Sequence, residues 1–440
     1  MYETGDLVMD QERIVGVLLK YRHLSFIKIL QRTVFSLYPL ILIGSFANMI
    51  SVNLLASNGF LAHFFNISAW LPFRSFLQAV FGDVARVTVG WCSPYAAMVA
   101  AILTTRYYHR ENASAGLAGI ISYVLIFLHT TRADTQVVQM RYYNAPWLII
   151  GILVGYCVGR IFVRFGSAGK FNDFNQTNGP IMTNIMQNIK PLLIAVSAAF
   201  VLHVGFAIYR QFGVDQIVDQ NISSLLSRHS NYLLNITLSL VNTIFVWLGF
   251  AEPVASPSSA YTNEAYANLA YALSHKTVWN LPHPFTPSAL YLGFALLGGL
   301  GVGLALIIGI LWADVRRRKH QIAAQSLIPT FFNIDLPIMF GASVFLNPMY
   351  LIPFVLCPIL NMLIGSLAIY LHLMPPLVYP VLTGTPGILL PLMGTGGNVV
   401  ALIISLILLV IDVMIYMPFI KLAEKVEIMD DQEKAGEGHD

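Results

Sequence analysis

Charge is scarce in this chain of 440 residues: Asp, Glu, Lys and Arg make up 11% of it, whereas hydrophobic residues make up 56%. An ordinary soluble domain carries about 25% charged residues. So few charges cannot cover a water-facing surface of this size, which argues against a soluble enzyme, a disordered scaffold and a nucleic-acid binder. The composition, with a mean hydropathy of +0.68, predicts an all-α polytopic membrane protein with about ten transmembrane helices.

Cysteine is also rare. Cys92, Cys157 and Cys357 each lie alone in an apolar run, without metal-binding spacing or an obvious pairing. The sequence contains no nucleotide-binding motif and no Ser-His-Asp arrangement, so we identify no metal, no cofactor and no catalytic phosphoryl-transfer residue in it. Its first 25 residues lack the pattern of a signal peptide, and we therefore expect a cytoplasmic N-terminus.

Basic residues mark the ends of many predicted helices. Residues 10–28 form a basic amphipathic helix, which we place at the cytoplasmic membrane surface, and residues 213–231 predict a second surface helix. The run 316–319 and the residues Lys421 and Lys425 follow later apolar segments. The positive-inside rule then predicts that both termini are cytoplasmic.

Two apolar segments in the second half are each interrupted by an acid near a proline, at Glu252-Pro253 and at residues 333–337. Irregular backbone at membrane depth is buried in protein or lines a cavity, and paired broken segments are typical of a transporter's substrate site. Carboxylates and carboxamides suit a sugar, whose hydroxyls both donate and accept. We therefore predict five substrate-binding residues: Glu252, Asn333, Asp335, Asn347 and His283.

Each of these predictions has a structural alternative. Glu252 can be a solvated helix end at the membrane interface, and the polar residues near residue 335 can simply cap their own helices.

A Gly-rich span over 288–312 contains Gly298, Gly299, Gly301 and Gly303. We expect these glycines to let helices pack closely in lipid rather than to bind phosphate, because the Walker lysine is missing.

These segments together resemble enzyme IIC, the membrane subunit of the bacterial sugar phosphotransferase system, of the lactose/cellobiose (chitobiose) type. The resemblance is carried by Phe332–Gly341, Leu346-Asn347-Pro348, Pro353-Phe354, the Gly-rich span with the basic run 316–319, and Tyr416–Lys421. It implies a homodimer in the bacterial cytoplasmic (inner) membrane, with re-entrant hairpins around a carbohydrate such as a β-linked disaccharide. It also implies phosphorylation of the sugar by a separate cytoplasmic IIB subunit, which works with IIA.

The resemblance also implies a division of the chain into four parts. Residues 1–28 are the cytoplasmic amphipathic segment, and residues 29–231 are a dimerisation and scaffold half. Residues 232–420 are the substrate-binding transport half, and residues 421–440 are a cytoplasmic tail. Residues 251–286 are irregular, and either cross the membrane or re-enter it.

Two positions depart from the family's pattern. Where the family has Asn-Ile-Asn-Glu-Pro, this chain has Leu336 at the Glu position, and the family's His-Gly pair corresponds here to Ala251 and Glu252. Leucine and alanine side chains cannot hydrogen-bond a sugar hydroxyl, and an unsatisfied buried hydroxyl costs about 1–3 kcal/mol. Two alternatives to a permease therefore stay open: a membrane sugar sensor or regulator, and a carrier independent of phosphorylation.

Overall fold

The computed structural model describes residues 15–110, 112–128, 140–166, 178–211, 232–250 and 263–437. This part of the chain consists of helices and turns, without a β-strand beyond the isolated bridge between Gly59 and Thr383. The prediction of an all-α fold is confirmed. The helices are α1 (15–23), α2 (Ser25–Met49), α3 (Phe60–Phe64), α4 (Ile67–Trp70), α5 (Arg74–Thr88), α6 (Cys92–Tyr107), α7 (Ala113–Phe127), α8 (Leu148–Phe165), α9 (Asn178–Gln211), α10 (Tyr232–Trp247), α11 (Asn263–His275), α12 (Gly303–Trp312), α13 (Arg317–Phe331), α14 (Leu336–Gly341), α15 (Pro348–Tyr370), α16 (Leu390–Gly394) and α17 (Val399–Glu437).

Six segments of the described chain are long and apolar enough to cross a membrane. They are Ser25–Leu55, Arg74–Tyr107, Ala145–Phe165, Met186–Tyr209, Pro348–Tyr370 and Val399–Glu433. Three shorter apolar helices accompany them, at Ala113–Phe127, Asn235–Trp247 and Gly303–Trp312. Their lengths and composition confirm a polytopic membrane protein. The predicted surface helix over 213–231 lies outside the described residues.

The chain forms two compact units that alternate along the sequence. Unit 1 comprises Met1–Pro39, Val89–Asp215 and Ile428–Asp440, and unit 2 comprises Leu40–Thr88 and Gln216–Glu427. The division predicted from the sequence, at residues 29–231 and 232–420, rests on dimerisation and transport roles. Compactness does not test those roles, so that division stays a prediction.

Small residues hold the helices of unit 1 close together. Gly151, Gly155 and Gly159 are spaced four apart along α8, so they share one face of the helix. A Cβ atom on Gly155 would overlap the carbonyl oxygen of Ala97 in α6. Glycine on this face therefore lets the two backbones approach closely, as is common between helices in lipid.

In unit 2 the Gly-rich segment is not a single span. A π-helical turn covers Ser288–Ala295, and α12 begins only at Gly303. Between them, residues 296–302 form a turn that we call the glycine loop, where Gly298 and Gly299 have φ of 78° and 95°. Gly298 and Gly299 thus do not lie in a packed helix, as the sequence predicted, because their left-handed backbone makes a loop that other residues adopt only with strain.

Candidate functional site

A cavity of about 370 Å³ lies in unit 2, where several non-α-helical segments meet. Its wall includes residues from Leu377 to Thr385, which we call the extended segment, together with the π-helical turn and Asn333. Leucines and valines supply most of the wall. The polar side chains on it are Ser288, Asn333, Tyr379, Thr383 and Thr385. Small-molecule sites have this size and this mixture of apolar surface with a few polar groups.

Asn333 joins two walls of the cavity. It follows α13 with a φ of 62°, a left-handed conformation that asparagine tolerates better than most residues. Its Oδ1 accepts a hydrogen bond from the Gly298 N–H at 3.2 Å, and its Nδ2 donates to the Thr385 carbonyl at 2.9 Å. A carboxamide has two N–H groups and two lone pairs, so one donor and one acceptor are left for a ligand.

Asp335, two residues after Asn333, holds the glycine loop through a hydrogen bond. The residue is 8% exposed, and its Oδ2 accepts a hydrogen bond from the Leu300 N–H at 2.7 Å. It makes no side-chain capping bond to its own helix, α14. A Cβ atom on Gly299 would lie 2.6 Å from the Asp335 Cγ, so this close approach requires glycine. Asp335 therefore joins two chain segments rather than capping one.

A third group fixes the glycine loop from the last helix. The hydroxyl of Tyr416 in α17 donates a hydrogen bond to the Gly301 carbonyl, and Tyr416 is completely buried. The loop is thus held by side chains from two different parts of unit 2.

The structure places the other predicted site residues elsewhere. Asn347 is buried and caps α15, with its Oδ1 accepting from the Met349 N–H at 3.3 Å. His283 has an exposed side chain, and its backbone N–H and carbonyl bond the side chain of Asn268. Neither residue lines the cavity. Glu252 lies outside the described residues. The structure therefore brings Asn333 and Asp335 together and leaves Asn347 and His283 apart from them.

Sequence reasoning missed the extended segment, which supplies most of the cavity wall. Thr383 pairs with residues 58–60: its N–H donates to the Asn58 carbonyl at 3.1 Å, and its carbonyl accepts from the Phe60 N–H at 3.0 Å. The signal available in the sequence was the density of proline and glycine from Pro375 to Gly387. Such a stretch disfavours a helix but does not reveal its partner.

Within the described residues, no group of three or more His, Cys, Asp or Glu could hold a metal ion. The side chains at the cavity are instead amides, hydroxyls and one carboxylate beside it. These groups donate to and accept from hydroxyls. The arrangement suits a neutral polar ligand better than a cation or a phosphate.

Comparison with known proteins gives a consistent family. A family model described as "Phosphotransferase system, EIIC" matches residues 31–358. The lactose-specific EIICB component of Staphylococcus aureus is 38% identical over 136 residues, which are 31% of this chain and 24% of that protein. The corresponding protein of Streptococcus mutans is 26% identical over 259 residues, 58% of this chain and 44% of that protein. The match thus spans less than half of either relative.

A solved structure also resembles the chain. It is the transporter ChbC, the IIC component of an N,N'-diacetylchitobiose-specific phosphotransferase system. The two are 19% identical, with a TM-score of 0.42, and the alignment covers 97% of this chain and 99% of that one.

Proposed function

The chain belongs to the EIIC family of the phosphotransferase system, and on that premise we propose that it binds a carbohydrate and carries it across the cytoplasmic membrane. In this proposal a separate IIB subunit phosphorylates the sugar, and IIA supplies IIB. The protein is a homodimer in the bacterial inner membrane, with both termini in the cytoplasm. A β-linked disaccharide is the substrate class, in line with the lactose-specific names of the relatives.

The observation that carries the proposal is the cavity beside Asn333. Its volume of about 370 Å³ falls in the range of small-molecule sites. Asn333 keeps hydrogen-bonding capacity toward it, and Ser288, Thr383 and Thr385 add hydroxyls to the wall. Tyr379 adds an aromatic ring with a polar end, which can cover an apolar face and still hydrogen-bond. These are the groups that a sugar needs.

We assign the site residues as follows. Asn333 contacts the sugar directly, and Asp335 holds the glycine loop next to it. Glu252 contributes a second acid where the family has glycine after histidine. Asn347 and His283 complete the site only after a rearrangement, because neither lines the cavity in this structure.

Uptake in membrane vesicles tests the proposed function. Vesicles containing the protein should accumulate a labelled β-linked disaccharide as its phosphate when phosphorylated IIB is present on the cytoplasmic side, and not without it. Vesicles without the protein are the control. Binding without uptake would indicate a sensor, and uptake of unmodified sugar without IIB would indicate an independent carrier. Either result would contradict the proposal.

Two conservative substitutions test the site. Glu252→Gln and Asp335→Asn should each weaken sugar binding by about tenfold or more at unchanged expression, because hydrogen bonds to charged groups contribute about 1.5–3 kcal/mol. Asp314→Asn changes an exposed acid and is the matched control. Affinities can be measured by calorimetry on purified protein. If both variants bind as tightly as the control, the site assignment is wrong.

A further inference from the structure

A buried acid and a buried amide face each other in unit 2, outside the candidate site. Asp412 lies in α17, within a candidate membrane span, and Asn361 lies in α15; both are 0% exposed. The Nδ2 of Asn361 donates a hydrogen bond to Oδ2 of Asp412 at 2.7 Å. Neither residue lines the cavity. Sugar binding therefore does not explain why an acid lies at this position.

If Asp412 is ionised, the pair has more buried hydrogen-bond acceptors than donors. A carboxylate only accepts, whereas a carboxamide offers N–H donors and one acceptor oxygen. Apart from the weak thiol donor of Cys357 beside the Asp412 carboxyl, Oδ1 of Asp412 and Oδ1 of Asn361 are both buried and have no donor among the described contacts. Rotating the amide by half a turn would bring two acceptors together instead. A buried charge with unsatisfied acceptors is strongly unfavourable at membrane depth.

The groups around the pair supply no positive charge. The Cys357 thiol, a weak donor, lies beside the Asp412 carboxyl, and Tyr416 lies one turn further along α17. Tyr350 and Asp335 are within electrostatic reach of Tyr416. None of these groups is a cation, and no ion pair within the described chain involves Asp412. Within the described part of the chain, an ionised Asp412 would have no counter-charge.

We propose that Asp412 is a proton-binding site: its carboxyl group carries a proton on Oδ1 in the folded protein, and this O–H donates to Oδ1 of Asn361. The two side chains then form a cyclic pair, with the amide N–H donating to Oδ2 and the acid O–H donating to the amide oxygen. One proton satisfies both buried acceptors and removes the buried charge. The inference does not depend on the proposed function.

Helix α17 links this pair to the candidate site. Tyr416, four residues after Asp412, donates to the Gly301 carbonyl of the glycine loop, while Asp335 holds the Leu300 N–H of the same loop. Loss of the proton would place an uncompensated charge between α15 and α17. It would therefore loosen the helix that anchors the loop beside the cavity.

Infrared spectroscopy of the purified protein tests the proposal directly. At neutral pH the spectrum should contain the carbonyl stretch of a protonated carboxylic acid, which moves on transfer to heavy water. The component due to Asp412 should be lost in Asp412→Asn. It should be kept in Asp83→Asn, which removes an exposed acid paired with Arg86. A spectrum that is the same in Asp412→Asn and in the wild type would overturn the proposal.

A second variant keeps the test decisive if Asp412→Asn does not fold. Asn361→Ala retains the acid and removes its partner. The protonated band should then persist but shift to higher wavenumber, because the carbonyl oxygen Oδ2 has lost its N–H donor. A band at its original position, with Asn361 absent, would show that the two side chains do not form the pair.

Thermal unfolding gives an independent readout. The folded state holds the Asp412 proton more tightly than the unfolded chain does, so its stability falls as pH rises. The unfolding temperature of the wild type should therefore decrease more steeply than that of Asp412→Asn as pH rises above about 4, where the unfolded chain loses this proton. Parallel pH curves for the two proteins would contradict a proton at Asp412.

Discussion

At the scale of single residues, Gly384 is a position of the cavity wall with no room for a side chain. Its φ is 74°, and a Cβ atom there would overlap the Oδ1 of Asn53. Asn53 is 1% exposed and lies in the π-helical turn after α2, so it has little room to move away. The extended segment can therefore lie against this turn only with glycine at residue 384.

Gly384→Ala should lower the free energy of unfolding by about 3 kcal/mol or more, because overpacking adds to the strain of a left-handed backbone. Gly397→Ala is the matched control: its φ is 98°, but a Cβ atom there would meet nothing within 4 Å. The control should lose only about 1–2 kcal/mol. Thermal unfolding in detergent measures both. Equal losses would show that Asn53 does not restrict residue 384.

A double variant separates the two causes. Adding Asn53→Ala to Gly384→Ala should recover the part of the loss that comes from overlap and leave the backbone strain. The stability gained by adding Asn53→Ala to Gly384→Ala should exceed the stability change that Asn53→Ala causes in the wild type. The reason is that the effects of substitutions at two residues in contact are not additive. No recovery would mean that the whole loss comes from the backbone at residue 384.

At the level of residues, the sequence indicated a break in the chain near Pro337 but not the partners of the residues at that break. Asn333 and Asp335 stand out because an acid and an amide near Pro337 interrupt an apolar run, and the structure places both at a break between α13 and α14. Their partners Gly298 and Leu300 lie 35 residues earlier in the chain. Periodicity describes only neighbours within one element, so it could not supply these contacts.

At the scale of elements, the basic run 316–319 at the start of α13 connects two helices. The Lys319 Nζ lies 2.7 Å from carboxylate oxygens of both Glu424 and Glu427 in α17, and the Arg316 Nε lies 3.3 Å from Glu424. Burial by itself lowers the pKa of Lys319, but Tyr350, Glu427 and Glu424 raise it more, so the pKa lies above its usual range. The run therefore ties α13 to α17.

Lys319→Gln should lower the free energy of unfolding by about 3 kcal/mol, because it leaves the buried carboxylate of Glu424 without its closest cation. Arg317→Gln, an exposed neighbour, should change it by no more than about 0.5 kcal/mol. Thermal unfolding of the two variants measures the difference. Comparable stability of both would mean that the ion pairs contribute nothing.

The same pair makes a pH prediction. Since the folded pKa of Lys319 is raised, its contribution is fully present below the unfolded value of about 10.4 and is lost only as pH rises through the folded value. The stability difference between Lys319→Gln and the wild type should therefore stay constant from about pH 6 to 9. A difference that disappears within this window would show that another group holds Glu424.

The composition predicted membrane-spanning helices well, but it did not predict the structural roles of individual glycines. The apolar spans follow from runs of hydrophobic residues, and six of those in the described part of the chain are long enough to cross a membrane. Both Gly155 and Gly299 lie in apolar surroundings, yet one permits close helix packing and the other a left-handed loop. The difference depends on Ala97 and Asp335, which are far from these glycines in sequence.

At the scale of the whole molecule, the basic residues make a definite prediction of orientation. Arg106 and Arg164 lie in the last turns of apolar helices and the run 316–319 follows another, whereas His63 is exposed between the first two candidate spans. The positive-inside rule places the first group in the cytoplasm. A single crossing by Ser25–Leu55 then places His63 on the opposite side.

Cysteine labelling with a membrane-impermeant maleimide tests this orientation. Cys92 and Cys357 are buried, so Cys157→Ser removes the one exposed native thiol and gives a silent background. Added to it, Arg317→Cys should be labelled in inside-out vesicles alone, and His63→Cys in right-side-out vesicles alone. Exposed side chains at both positions make labelling depend on sidedness rather than on packing. The reverse pattern would invert the topology and place the run 316–319 outside the cell.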